Sequence, residues 1–233
     1  MKLLTTENAK TNKGELLGYR TGILYLAPAD ESGVMNTCPM ASDGCKATCL
    51  FTAGRGIFNS VHDSRVRKTQ ELARDYTAFL NQLRKDIRSL VKQAKRLGMK
   101  PAVRLNGTSD LPKLALTLCD EFPEVQFYDY TKLPRPYLRT RNNYHITFSL
   151  SENNRAAALD ALSHGINVAV VFDVKRGQPL PEQFMGHAVI DGDTHDLRFL
   201  DGTRVPVIVG LRAKGKAKKD TSGFVQITGV TNG

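Results

Sequence analysis

Val168-Ala-Val-Val-Phe172 is an unbroken apolar run, and four of its five residues are β-branched or aromatic. A strand with one face in water alternates apolar and polar residues, whereas a parallel strand buried on both faces reads as a continuous hydrophobic stretch. Upstream of this run, Arg155 to Ser163 reads as a helix that Gly165 ends, and His145-Ile-Thr-Phe-Ser149 as the strand before it. The same alternation continues towards the N-terminus. Val125-Gln-Phe-Tyr-Asp-Tyr130 is a strand, Leu111 to Phe122 a helix and Ala102-Val-Arg-Leu-Asn106 a strand, while Ile23-Leu-Tyr-Leu-Ala27 forms the first buried strand. Towards the C-terminus, Ala188-Val-Ile190 and Val207-Ile-Val-Gly-Leu211 complete seven expected strands.

The longest element expected is one helix over about residues 61–97, since Val66, Leu72, Phe79, Leu83, Ile87 and Leu90 keep the three-to-four spacing of an apolar face. Ser60 with Asp63 supplies a cap pair, and Gly98 followed by Pro101 closes the helix. Strands alternating with helices through right-handed crossovers give either a barrel or a doubly wound sheet. No Gly-rich phosphate-binding turn follows the first strand, so the expected fold is α/β: a TIM-like (β/α) barrel, complete or partial, with the cysteine loop after its first strand. With no internal repeat and no linker, residues 1–233 read as one domain.

Composition narrows the function classes. Hydrophobic residues make up 41% of the 233, enough for a real core. No apolar stretch approaches the roughly 18 residues of a membrane-spanning helix. Met1-Lys-Leu-Leu-Thr-Thr-Glu7 turns polar too early for a signal peptide. The expectation is a cytoplasmic protein with no membrane partner. A net charge of +10 permits binding to nucleic acid. The excess falls around Arg84 to Arg96 and in Arg212-Ala-Lys-Gly-Lys-Ala-Lys-Lys219, without the interleaved aromatics of a single-strand binder. Such runs are more often solvated faces or mobile ends than reading heads.

Three of the four cysteines fall within twelve residues, in Cys38-Pro-Met-Ala-Ser-Asp-Gly-Cys45-Lys-Ala-Thr-Cys49. Cys45 and Cys49 share one face of a helical turn, and Cys38 folds back across Ser42-Asp-Gly44. Three thiolates at such range suit a [4Fe–4S] cluster with one differently ligated iron, or zinc completed by His62. Structural zinc sites are usually built from paired Cys-x-x-Cys knuckles, and this sequence has none. Cys119, in Leu114-Ala-Leu-Thr-Leu-Cys119, reads as a buried small hydrophobe.

Nearly every expected strand ends in polar residues, and in parallel α/β folds those ends converge on one rim where ligands bind. Arg104, Asn106, Asp110, Ser149 and Lys214 are candidate ligand-binding residues for a small anionic molecule, although turns and helix caps use the same residue types. Asp129, Lys132 and Asp191 are the catalytic candidates; Asp129 with Lys132 forms either an acid–base pair or a plain ion pair. Asp191, Asp193, His195 and Asp196 combine the donors of a hard divalent cation with the composition of an ordinary turn.

Two resemblances follow from these motifs. A three-cysteine loop after the first strand of a β/α barrel resembles the radical S-adenosylmethionine enzymes, whose cluster holds that cofactor at its open iron. The spacing departs from theirs, being Cys-x6-Cys-x3-Cys, and Asn106-Gly-Thr-Ser-Asp110 stands where they carry a Gly-Gly-Glu-like stretch. The longer resemblance is to the bacteriophage gene product eighty-eight-like family. It is carried by Asn36-Thr-Cys-Pro-Met-Ala41, Cys45 to Leu50, Arg104 to Asp110, Phe127-Tyr-Asp-Tyr-Thr-Lys132 and Asp191-Gly-Asp-Thr-His-Asp-Leu-Arg198. It implies a phage-encoded protein working in a bacterial cytoplasm.

The expected function is therefore an iron–sulfur protein with redox or radical-type chemistry. The alternative is a nucleic-acid-associated protein whose metal, zinc, is structural.

Overall fold

A computed structural model describes residues 2–52, 54–202 and 205–228. Strand β1 (Leu4–Thr5) leads through helix α1 (Ala9–Glu15) into β2 (Tyr19–Leu24). The cysteine segment follows, with α2 (Asp43–Ala47), and then α3 (Asn59–Arg74) and α4 (Tyr76–Arg96). The chain continues through β3 (Lys100–Arg104), α5 (Pro112–Glu121), β4 (Gln126–Thr131), β5 (Tyr144–Ser149), α6 (Arg155–Ser163) and β6 (Val168–Phe172). Strands β7 (Gln183–Phe184), β8 (His187–Asp191) and β9 (Ile208–Arg212) complete it.

The strands form one nine-stranded sheet in the order β1-β2-β3-β4-β5-β6-β9-β8-β7. Strands β2 through β6, β9 and β8 pair in parallel, and β1 and β7 add antiparallel edges. The fold is thus mixed α/β with a mostly parallel sheet, as the apolar run at 168–172 requires. Among the described residues, no ladder joins the two edges.

Strand order follows chain order from β2 to β6 without reversal. Right-handed crossovers then send every connecting helix to the same face. On that face Leu83, Ile87 and Leu90 of α4 and Leu118 of α5 pack against Leu24, Val103 and Phe127. Further along, Ala158 and Leu162 of α6 pack against Phe148, Val168 and Val170. Among the described residues, the other face has no crossover helix. It carries Ala102 and Tyr128, covered by Leu197 and Phe199 from the segment after β8.

That segment is pinned by Asp196. Its carboxylate accepts hydrogen bonds from Arg104 Nη1 at 2.9 and 3.0 Å and from Tyr128 Oη at 3.4 Å, and pairs with Lys10 Nζ at 3.1 Å. Lys13 Nζ donates to the Asp193 carbonyl at 2.5 Å, so the chain leaving β8 reaches α1, beside the opposite edge strands.

Several elements differ from the sequence expectation. The single helix over 61–97 is two helices, because Asp75 leaves helical geometry (φ −149°, ψ 91°) and accepts a hydrogen bond from Ala78 N, so it caps α4. Neither Ser60 nor Asp63 caps α3; its N-cap is Phe58, without a side-chain bond. Gly98 ends α4 with φ +65°, a conformation that glycine adopts without strain. Strand β1 and α1 were not expected, although Asn8 and Thr11 form a reciprocal capping box.

Leu83 has no exposed surface, whereas Lys85 on the same helix faces solvent. Leu83→Ala is expected to lower the unfolding free energy by about 2–5 kcal/mol. Lys85→Ala is expected to stay within about 0.5 kcal/mol of the parent in the same urea titration.

Candidate functional site

The loops leaving β2 and β3 are stitched together before any cysteine is placed. Thr37 Oγ1 donates to the Ala27 carbonyl and Thr108 Oγ1 to the Leu26 carbonyl, both at 2.6 Å. Backbone bonds run from Gly107 N to Leu24 O (3.0 Å) and from Asp110 N to Thr37 O (2.8 Å). Cys38 follows Thr37, and its thiol lies 3.7 Å from the Thr108 carbonyl.

The other two cysteines are positioned by α2. Ser42 is its N-cap, accepting from Cys45 N at 3.2 Å, and its own hydroxyl donates to Glu152 Oε2 at 2.8 Å. Gly44 N donates to Glu152 Oε1 at 2.8 Å. Glu152 comes from the loop after β5, so a carboxylate from a distant strand end grips the N-terminus of the cysteine helix, where the backbone donors are unpaired. A Cβ at position 44 would lie 2.8 Å from Glu152 Oε1, so this approach needs glycine.

Cys38, Cys45 and Cys49 line one pocket of about 400 Å³ together with Pro28, Ala29 and Phe51. None of the three is in a disulfide, and all are partly buried. Burial raises the Cys38 thiol above its ordinary range and pushes Cys49 up to about 11, so without a cation the pocket holds them protonated. Among the described residues, no group of three or more His, Cys, Asp or Glu is arranged to hold a metal ion. His62 lies 3.6 Å from both Glu31 and Asp63.

Three predicted ligand or catalytic residues are linked to one another near the strand ends, outside the lining of this pocket. The Asp110 carboxylate accepts from Thr131 Oγ1 and Lys132 N at 2.8 Å each, and burial raises its pKa. Lys132 Nζ donates to Ser149 Oγ at 2.9 Å and stands 5.5 Å from the centre of the Phe224 ring. Asp110 acts electrostatically on Cys38, and Lys132 on Cys49.

The others stand elsewhere. Arg104 is buried on the face without crossover helices, paired with Asp196 and lying 4.6 Å from the centre of the Tyr130 ring. Asp129 and Lys132 do not form a pair. Asp129 accepts from Asn106 N at 2.7 Å, Asn106 Nδ2 at 3.0 Å and Tyr144 Oη at 3.2 Å, beneath the loop after β3. An odd separation along a strand sends two side chains to opposite faces. Asp191 and Asp193 share Arg212 at 2.8 and 3.2 Å, and Lys214 Nζ reaches Asp193 at 2.5 Å. His195 Nε2 lies 3.7 Å from Asp201. Ion pairs thus occupy the carboxylates expected to suit a hard cation.

Two residues that sequence reasoning did not assign act on the cysteine segment from outside the pocket's lining. Glu152 stood in a polar strand end with no role attached. Arg65 of α3 has its guanidinium 5.2 Å from the centre of the Tyr25 ring, and its charge acts on Cys49. Its Nε and Nη1 are sealed from solvent without a hydrogen-bond partner. Nothing in the local sequence distinguishes it from its neighbour Arg67.

The sequence profile described as Gene product 88 matches residues 2–227. The chain belongs to the Gene product 88 family. This is the phage family its motifs resemble, and the match spans every element of the sheet and the whole cysteine loop. No curated protein and no solved structure matches the chain. Among the described residues, no helix is long and apolar enough to cross a membrane.

Glu152→Ala removes both anchors of α2. Amide exchange in residues 42–49 should quicken about tenfold or more, the equivalent of roughly 1.5 kcal/mol for a hydrogen bond to a charged group, while protection of α4 is unchanged.

Asp129 gives a pH signature. Burial raises its carboxyl from 3.8 to about 7 against the Asn106 hydrogen bonds. A raised folded-state value means that its stabilising contribution is complete below the unfolded value and is lost as pH rises through the folded one. Urea unfolding between about pH 4 and pH 8 should show this loss in the parent chain and not in Asp129→Asn.

Proposed function

We propose that Cys38, Cys45 and Cys49 hold a [4Fe–4S] cluster at the mouth of a barrel-like sheet, and that this phage-encoded protein performs redox or radical-type chemistry on a small anionic ligand in the bacterial cytoplasm. The observation that carries the reading is the convergence of three partly buried thiols on one pocket, with the Arg65 charge acting on Cys49 from outside its lining. Neutral thiols do not balance that charge. Thiolates ligating a cluster would, and hydrogen bonds to cluster sulfurs are a recognised means of tuning its potential.

The donor set fits the group. Three thiolates leave one iron without a cysteine ligand, and soft sulfur donors select iron–sulfur clusters or zinc over hard cations. When bound, the cluster supplies one-electron chemistry and an open coordination position. Asp110 and Lys132 act on the cysteines electrostatically from beyond the pocket's lining, and in this reading Lys132 and Ser149 orient the ligand. Arg104, Asn106 and Asp129 hold the sheet and its loops. Barrel-like curvature is supported by the unreversed parallel order from β2 to β6 and by the 192–201 segment spanning from β8 to α1. S-adenosylmethionine is assigned no residue here, since the cysteine spacing differs from that of the enzymes that use it.

One observation favours the second reading, a nucleic-acid-associated protein with structural zinc. The turn Gly215–Lys219 packs against Leu50–Thr52, just after Cys49, and exposes Lys216, Lys218 and Lys219.

Anaerobic purification followed by iron, sulfide and zinc analysis separates the two. The proposal expects a brown protein with iron and sulfide in equal amounts. Colourless protein carrying one zinc would overturn it and put the nucleic-acid reading first.

A further inference from the structure

Helix α4 spends one side on the sheet and gives the other to solvent. Leu83, Ile87 and Leu90 are buried against the strands. Lys85, Arg88, Lys92, Lys95 and Arg96 are all exposed. At about 3.6 residues per turn, these five fall within about 100° of the helix circumference, opposite the buried row. The single acid in α4 is Asp86, and its carboxylate is taken on the flank by Leu3 N, Leu4 N and Gln82 Nε2. Glu121 of α5 is held by Arg84 through two bonds of 2.7 Å. Among the described residues, none of the five outward cations forms an ion pair.

An ordinary solvated helix face mixes signs, with acid and base three or four residues apart. The outer row of α4 does the reverse. It sets Lys85 with Arg88, Arg88 with Lys92, and Lys92 with Lys95 and Arg96 at those spacings, where like charges repel. The helix dipole favours Lys95 and Arg96 in the last turn, but its effect fades within that turn and does not reach Lys85, Arg88 or Lys92. A polyanion laid along the row would relieve the repulsion. From Lys85 to Arg96 the row extends about 16 Å, a length over which one strand of a DNA duplex carries about five phosphates. The row has no aromatic side chain on which an unpaired base could stack. Nor is the apolar side of α4 available to a lipid surface, since the sheet covers it.

We infer that the outer face of α4 binds the phosphate backbone of double-stranded DNA through Lys85, Arg88, Lys92, Lys95 and Arg96, without reading base sequence. This goes beyond the cluster reading and needs no metal, since none of the five residues lines the cysteine pocket. It also places the contact on α4 and not on the turn Gly215–Lys219.

Fluorescence anisotropy of a labelled duplex of mixed sequence, titrated with the full-length protein at several salt concentrations, is the test. At about 0.9 counterion released per phosphate, five contacts give a log–log slope of about −4.5, and affinity falls roughly 500-fold between about 50 and 200 mM salt. The triple variant Lys85→Gln/Arg88→Gln/Lys92→Gln should flatten the slope by about 3 and bind about tenfold or more weakly at the lower salt. The exchange Lys85→Arg/Lys92→Arg/Lys95→Arg keeps the charges and should bind as the parent does. Circular dichroism establishes that each variant is folded; should the triple variant not fold, Lys92→Gln alone decides, with the slope reduced by about 1. A triple variant with the parent's affinity and slope overturns the inference, as does a parent that binds no duplex at the lower salt. Tighter binding of a single strand than of the duplex also overturns it, as does displacement of the duplex by phosphatidylserine vesicles at a lower phosphate concentration than unlabelled duplex requires. Duplex binding through α4 by a protein without iron would remove the cluster and leave this face standing, whereas an iron–sulfur protein that binds no duplex would do the opposite.

Discussion

The buried pair between Arg104 and Asp196 is the interaction on which the architecture turns. A sheet whose parallel strands run in chain order receives all its crossover helices on one face, and its other face must be covered by something else. Here the cover is the segment after β8, and Asp196 fastens it by accepting from Arg104 and Tyr128 and pairing with Lys10. Burial opposes the charge, but Arg104 and Lys10 hold the Asp196 carboxyl well below its usual range. A buried charge that loses its partner is strongly destabilising, by about 3–5 kcal/mol, so neither member is free to serve a ligand. This is why Arg104, a reasonable anion receptor by position in the sequence, belongs to the frame.

The cysteine pocket is built on that frame by a different device. Short strand-end loops hold one another through hydroxyl-to-carbonyl bonds, and Glu152 reaches from β5 to the first turn of α2. Sequence-distant residues therefore fix the relative positions of Cys38 and the Cys45–Cys49 helix. Burial in the pocket keeps the Cys38 and Cys49 thiols protonated, yet Arg65 and Lys132 act electrostatically on Cys49. Such a combination suits an anionic, sulfur-ligated group better than a neutral core.

Much of this was legible in the chain itself. The apolar run at 168–172 and the helix at 155–163 fall on β6 and α6 as read, because continuous hydrophobicity and a glycine stop leave little choice. The parallel α/β class followed from them. The break at Asp75 was hidden, since an apolar face in phase on both sides masks a single non-helical residue. Strand β1 is two residues long and held largely by Asp86, which accepts from Leu3 N and Leu4 N, a contact no local pattern announces. Of the candidate residues, the cysteines, Asp110, Lys132 and Ser149 were recognisable as polar or soft groups in strand-end loops. Arg65 was not, because its significance lies in partners that it lacks, and these appear only once the chain is folded.

Native mass spectrometry of the anaerobically prepared chain, beside Cys45→Ser, tests the central claim most directly. The account predicts a mass excess of four irons and four sulfides on the parent chain, lost or greatly reduced in Cys45→Ser. A parent chain carrying a single zinc, or an iron–sulfur excess undiminished in Cys45→Ser, would contradict it.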